Sequence, residues 1–227
     1  MASITSIASA GTLPTLTSAQ PTKLPELRPL PLPLPLPKPV SLDKFLTPGR
    51  SEKLAGTQAN QLETIQKGVK SGAVTEQEAT KLLAEQAKIA AATSTASADG
   101  VITAQEAASI RLQQAKAGLD LFLASHNGAH AKPSDRAVTN KQATQIGQIA
   151  QGVRSGSLTG EEASNLLTGQ SDIAQSAAEA QSDGEVDFIE KQTLNILQDA
   201  ATFGISQEKH DTEKAPHAGR IHFPVLF

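Results

Sequence analysis

The feature that most constrains this chain is that it contains one sequence twice. Residues 58–126 align over 142–210 without a gap at an offset of 84, and about a third of the positions are identical. Identical pairs begin at Gln58, Gln61, Gly68, Gly72, Thr75, Glu78, Leu82, Leu83, Gln86, Ile89, Asp99, Gly100, Glu106, Gln114 and His126. Leu62/Ile146, Val74/Leu158, Ile102/Val186 and Ile110/Leu194 are conservative pairs. Self-similarity at a fixed offset marks repeated structural units, so whatever the first copy folds into, the second should fold into as well.

Each copy carries the same punctuation twice. Ser71-Gly-Ala-Val-Thr-Glu-Gln-Glu78 and Asp99-Gly-Val-Ile-Thr-Ala-Gln-Glu106 share Gly-x-aliphatic-Thr-x-x-Glu, and the pattern returns at Gly156–Glu162 and Gly184–Glu190. A glycine takes the left-handed conformation that ends one helix, and Thr75, Thr103, Thr159 or Asp187 caps the next. The glutamate three residues on reaches back to the cap residue's own N–H, while Val74, Ile102, Leu158 or Val186 staples the turn. This predicts helices over 57–70, 75–98, 103–125, 141–154, 159–182 and 187–208. With turns this short, sequential helices are expected as antiparallel neighbours. Leu82, Leu83, Ala87, Ile89 and Ala90 supply one core face, and Ile110, Ala117, Leu121 and Ala124 another. A core of Leu, Ile and Ala buries little area per residue, so one three-helix copy alone should be marginal, and packing the copies together would offset that.

The expected organisation is therefore all-α: two tandem three-helix units at 57–126 and 141–210, an extended arm over 1–50, a linker over 127–140 and an apolar tail over 211–227. In the arm, Pro alternates with Leu from Pro29 to Pro37, which favours a polyproline-type rod presenting Leu30, Leu32, Leu34 and Leu36. The tail finishes His-Phe-Pro-Val-Leu-Phe, and Phe223, Val225, Leu226 and Phe227 are candidate anchors for a partner. Thr139 and Asn140 are cap candidates at the end of the linker.

Composition excludes more than it proposes. Aromatic residues are 3% of the chain, all Phe, and the net charge is -3, so neither base stacking nor phosphate neutralisation argues for nucleic acid. Without Cys there is no disulfide framework, thiolate nucleophile or zinc–thiolate site. No run approaches the roughly 18–20 apolar residues of a membrane span. The Ser/Thr-rich start lacks the basic region of a cleavable secretory signal.

The linked set I-x-x-G-V-[KR]-S-G-x-[VL]-T-x-x-E-A-x-x-L-L-x-x-Q-x-x-I, then [AS]-D-G-x-[IV]-[TD]-x-x-E, closing on His126-Asn127 or His210-Asp211, resembles a family of uncharacterised bacterial proteins. Those chains carry the unit once or in tandem and often bear an export signal. The resemblance covers about two thirds of the chain and implies a helical, envelope-associated or exported bacterial protein, with no activity attached. This chain departs from the pattern in lacking an evident signal and in its Ala-, Gln- and Ser-rich surface.

The Asp-Gly turns also match the second half of an EF-hand loop, with glycine at the sharp turn, an aliphatic residue and a closing glutamate. The first half does not match: Thr95 and Glu179 stand where the opening Asp belongs. The second copy keeps more oxygen ligands, so Glu179, Asp183, Asp187 and Glu190 are its candidate calcium ligands. His126 and His130 have metal-pair spacing, but Asn127-Gly128 should end the helix between them. His126 and His210 are instead expected at helix C-termini, where the macrodipole favours a cation. No Ser/His/Asp order or phosphate-cradling glycine loop emerges. The expectation is a non-enzymatic, cofactor-free structural or interaction protein that self-associates or joins a larger assembly through its terminal segments. A calcium-responsive helical module and a secreted effector binding a host protein are the alternatives.

Overall fold

The computed structural model describes residues 43–131 and 136–210, and these form six α-helices with no strand among the described residues. They are α1 (Asp43–Ser71), α2 (Glu76–Ser97), α3 (Ala104–His126), α4 (Arg136–Ser155), α5 (Gly160–Ala180) and α6 (Phe188–His210).

The interhelical turns are built as their spacing predicts. Thr75, Thr103 and Thr159 have extended backbone and complete capping boxes with Glu78, Glu106 and Glu162. Asp187 and Glu190 make the same reciprocal pair of bonds before α6, 2.8 Å each way. Gly72, Gly100, Gly156 and Gly184 all have positive φ, the conformation that a side chain resists. Val74 and Leu158 are buried over Gly68 and Gly152, where an added Cβ would lie 2.5 Å from the stapling side chain. That close approach accounts for glycine at both equivalent positions.

Two boundaries differ from the sequence expectation. Helix α1 begins at Asp43, not near residue 57, so residues 43–50 are helical and do not belong to an extended arm. Pro48 sits inside this helix, whose first turns are held by distant contacts: the Thr47 hydroxyl accepts the Ile102 N–H at 2.9 Å, and Arg50 donates to the Ile102 carbonyl at 2.7 Å. Likewise α4 begins at Arg136 inside the expected linker, so Thr139 and Asn140 are helical residues and not caps. Val138 draws this segment in by packing on Ala177, Ala180 and Leu194.

The helices do not associate chiefly with their neighbours in sequence. The most extensive packing is α2 on α5 and α1 on α4, so a helix of the first copy lies on its own equivalent in the second. Like on like is the pattern of a two-fold relation between the copies. The main cluster joins both: Leu62, Ile65, Val69, Leu83 and Ala90 meet Ile146, Ile149, Leu167 and Ala174. At the closest approach, a Cβ on Gly160 would lie 2.8 Å from both the Ala90 carbonyl oxygen and the Ser94 nitrogen. Among the described helices, α3 packs only on α1 and α2, and α6 only on α4 and α5, which puts these two on opposite flanks of a four-helix centre.

Within each copy, buried glutamines tie the three helices together. Gln58 donates to the Gln86 carbonyl at 2.9 Å, Gln61 to the Gln114 carbonyl at 2.6 Å, Gln86 to the Gln61 amide oxygen at 3.0 Å and Gln114 to the Leu54 carbonyl at 2.8 Å. The same four bonds recur 84 residues on: Gln142 to Gln170, Gln145 to Gln198, Gln170 to Gln145 and Gln198 to Val138. The repeat therefore extends at least to Leu54/Val138, upstream of where identity alone begins.

Replacing Gln145 by Leu should lower unfolding stability by roughly 1–3 kcal/mol, because the Gln170 amide then loses its acceptor inside the bundle. Urea denaturation checks this. Retention of the wild-type midpoint would mean that the network is not holding the helices.

Candidate functional site

Four features merit attention: an apolar cleft, the Asp-Gly turns, a buried carboxyl, and apolar side chains left uncovered on the flanking helices. The cleft lies between the N-terminal half of α2 and the C-terminal half of α3, with a volume of about 510 Å³. Leu82, Phe122 and Leu123 form its apolar lining, and Glu78, Glu85 and Asp120 stand around it with Lys81. The second copy has Ser206 and Gln207 at the equivalents of Phe122 and Leu123, so this apolar lining belongs to the first copy.

The acidic residues around the cleft are structurally committed. Burial opposes ionisation of Glu78, but hydrogen bonds from the Thr75 backbone and hydroxyl and the Asn127 amide, with Lys81 nearby, outweigh it and hold the carboxyl below the usual glutamate range. Glu85 accepts from Lys116 at 3.0 Å, and this hydrogen bond leads the interactions that raise the Lys116 ammonium's pKa. Phe122 stacks on His126 with ring centroids 4.3 Å apart. His126 and His210 end α3 and α6, each with its Nδ1 at the carbonyl oxygen four residues earlier. Their location at helix C-termini agrees with the sequence expectation.

The candidate calcium ligands are exposed or half-buried and occupied by local bonds. Asp183 accepts the Glu185 N–H at 3.1 Å, Asp187 and Glu190 cap α6, and Glu179 accepts from Gln175 at 2.9 Å. Among the described residues, no three His, Asp or Glu side chains gather as a metal site. The candidate partner-binding residues Leu30, Leu32, Leu34, Leu36, Phe223, Val225, Leu226 and Phe227 lie outside the described residues.

Glu76 was not singled out by sequence. It opens α2, is 4% exposed, and has one carboxylate oxygen without a hydrogen-bond partner. Burial pushes its carboxyl up to about 7, against a hydrogen bond with Thr139 of α4 that favours the ionised form. Its position in the second copy is taken by Gly160.

Sequence reasoning also missed the outer faces of the flanking helices. Leu112, Leu119, Phe122 and Leu123 on α3 are more than half exposed, as are Phe188, Ile189, Ile196 and Phe203 on α6. Leu112 matches Ile196 and Leu119 matches Phe203 at the 84-residue offset, so both copies leave the same two positions uncovered. The available signal was their seven-residue spacing, close to two helical turns. Ile110 and Leu121, whose face is buried, had already accounted for the helix's apolar content.

No protein-family model, curated protein or solved structure matches this chain. No helix among the described residues is long and apolar enough to cross a membrane.

The buried carboxyl gives a pH dependence with a definite sign. Because the folded state holds the Glu76 proton more tightly than the unfolded chain, the contribution of this group to stability is greatest below the ordinary carboxylate range and is lost as pH rises from about 4.5 to about 7, opposite in sign to that of Glu78. The shift corresponds to ~3 kcal/mol. Glu76→Gln should flatten that fall and raise the urea midpoint at pH 8, and a variant with the wild-type pH profile would refute the assignment.

If the Asp-Gly turns serve as caps alone, millimolar calcium should leave the melting temperature unchanged, since any ligand of the native state raises it by mass action. A saturable rise, lost in Glu190→Gln, is the contrary result.

Proposed function

We propose that this is a non-enzymatic structural or interaction protein, a subunit that joins other protein chains through apolar surface. The observation that carries the reading is the set of large apolar side chains standing open to solvent on α3 and α6. Scattered apolar residues are ordinary on a protein surface, but large apolar side chains aligned along one face of each of two helices point to interaction sites. The cleft beside Phe122 and Leu123 continues the α3 surface inward and suits an inserted apolar side chain.

The terminal segments belong to the same proposal. Leu30, Leu32, Leu34 and Leu36, and Phe223, Val225, Leu226 and Phe227, offer apolar groups in chemistry suited to docking on a partner surface. The motif resemblance supports placing the assembly in a bacterial envelope or outside the cell. A calcium-responsive module is less well supported, because the carboxylates at the Asp-Gly turns already serve backbone N–H groups.

Deletion of residues 1–42, which leaves α1 intact, or of everything after Arg220, should give folded helical protein with weakened or lost association in sedimentation velocity. Terminal docking is refuted if both shortened forms associate as the full chain does.

A further inference from the structure

The two uncovered faces are related to each other in a way that identifies what covers them. Leu112, Leu119 and Leu123 form one stripe along α3, and Ile189, Ile196 and Phe203 form one along α6, because steps of seven or four residues return close to the same side of a helix. Leu112 and Phe203 are 74% and 72% exposed. Among the described helices, α3 touches only α1 and α2, and α6 only α4 and α5, so the stripes lie on opposite flanks and cannot cover one another within one molecule.

We propose that each stripe packs against a stripe of a second copy of this chain, making the molecule bivalent and its assembly open-ended. This rests on the interaction-protein reading above and names its partner. Three observations favour a second copy. A stripe with one large apolar residue every seven matches a facing helix that repeats the same spacing, and this chain carries such a stripe twice. The charges along α3 balance, Glu106 and Asp120 against Arg111 and Lys116, and those along α6 nearly do, Glu190, Asp199 and Glu208 against Lys191 and Lys209, so like faces meet little net repulsion and a polyanion or acidic membrane finds no basic cluster on either helix.

The third observation is area. Taking about 200 Å² for a fully exposed side chain of this size, each stripe alone presents about 400 Å², and with the neighbouring Phe122 on α3 and Phe188 on α6 each face presents on the order of 500 Å² of apolar surface. That is at the upper end of the roughly 300–600 Å² that a monomer's largest patch shows. Two faces pressed together remove on the order of 1,000 Å² from solvent, the threshold for a specific interface. With one such contact on each flank, joining two molecules still leaves a free stripe at either end, and growth continues beyond the dimer.

The test is sedimentation velocity on the full chain across about two decades of concentration, wide enough to cross an association midpoint. The wild-type protein should grow past the dimer. Leu112→Gln with Leu119→Gln, or Ile196→Gln with Phe203→Gln, should stop at dimer or monomer, and all four together should be monomeric, with at least about tenfold weaker association. These side chains are exposed, so urea midpoints and helix content should stay near wild type. If a double variant loses helix content, the single Leu112→Gln and Ile196→Gln variants carry the same test.

A wild-type chain that stays monomeric throughout, or a fourfold variant that associates as the wild type does, overturns the proposal. Association lost on deleting residues 1–42 but untouched by the face substitutions leaves terminal docking standing and removes this one. The opposite pattern removes terminal docking and keeps the faces.

Discussion

A glutamine amide inside an Ala-rich bundle must find its acceptors there, and the acceptors it finds determine which helices may lie beside it. Gln61 reaches the backbone of α3, Gln58 that of α2, and Gln114 returns from α3 to α1, so three helices are held at one relative height by side chains that cannot slide. Apolar packing among Ala, Leu and Ile is tolerant of register, because small side chains leave few unique holes. The amides supply the specificity that such a core lacks. They do so at some energetic cost, since the amide oxygens of Gln86, Gln142, Gln170 and Gln198 are buried without a donor.

Stability of the whole comes from the contact between copies. A three-helix unit in which Ala supplies nearly half of the buried apolar residues buries little surface for its length. Laying α2 on α5 and α1 on α4 converts two marginal units into one cluster that draws on both. The small residues matter here for distance: Gly160 and the Ala-rich face of α2 let two backbones approach as longer side chains would forbid. Ser171 exploits that closeness, its hydroxyl donating to the Thr80 carbonyl at 2.9 Å.

What could be read from sequence was what is local. The caps at Thr75, Thr103, Thr159 and Asp187 involve residues three apart and glycines within a few positions, so their geometry is written in a short string. The same holds for the stapling residues Val74, Ile102 and Leu158, which are buried, while the fourth, Val186, is only partly buried against Val138, Ala177, Ala180 and Leu194. The start of α1 was not local. Pro48 and the proline-rich run before it argue against helix, and what favours helix there is Ile102, more than fifty residues away. Pairing between copies was invisible for a related reason: identity at an offset shows that two segments fold alike, not that they fold against each other. The duplicated glutamines were visible as identities, but an amide on a helix reads as surface until its acceptors are known. Glu76 fell between the two copies, because the alignment shows it only as a mismatch with Gly160.

That mismatch has a consequence for which halves can pair. Gly160 lies where even a bare methyl would press on the Ala90 carbonyl and the Ser94 nitrogen. Two first halves brought together in this geometry would put Glu76 at that spot, with a whole acidic side chain in place of a hydrogen atom. Two first halves in this arrangement would have to make room for that side chain, whereas the pairing of first half with second half leaves the spot clear. A duplication begins with identical and interchangeable halves. At this position they are no longer interchangeable: Gly160 leaves room against α2 that the first half, with Glu76, would have to fill.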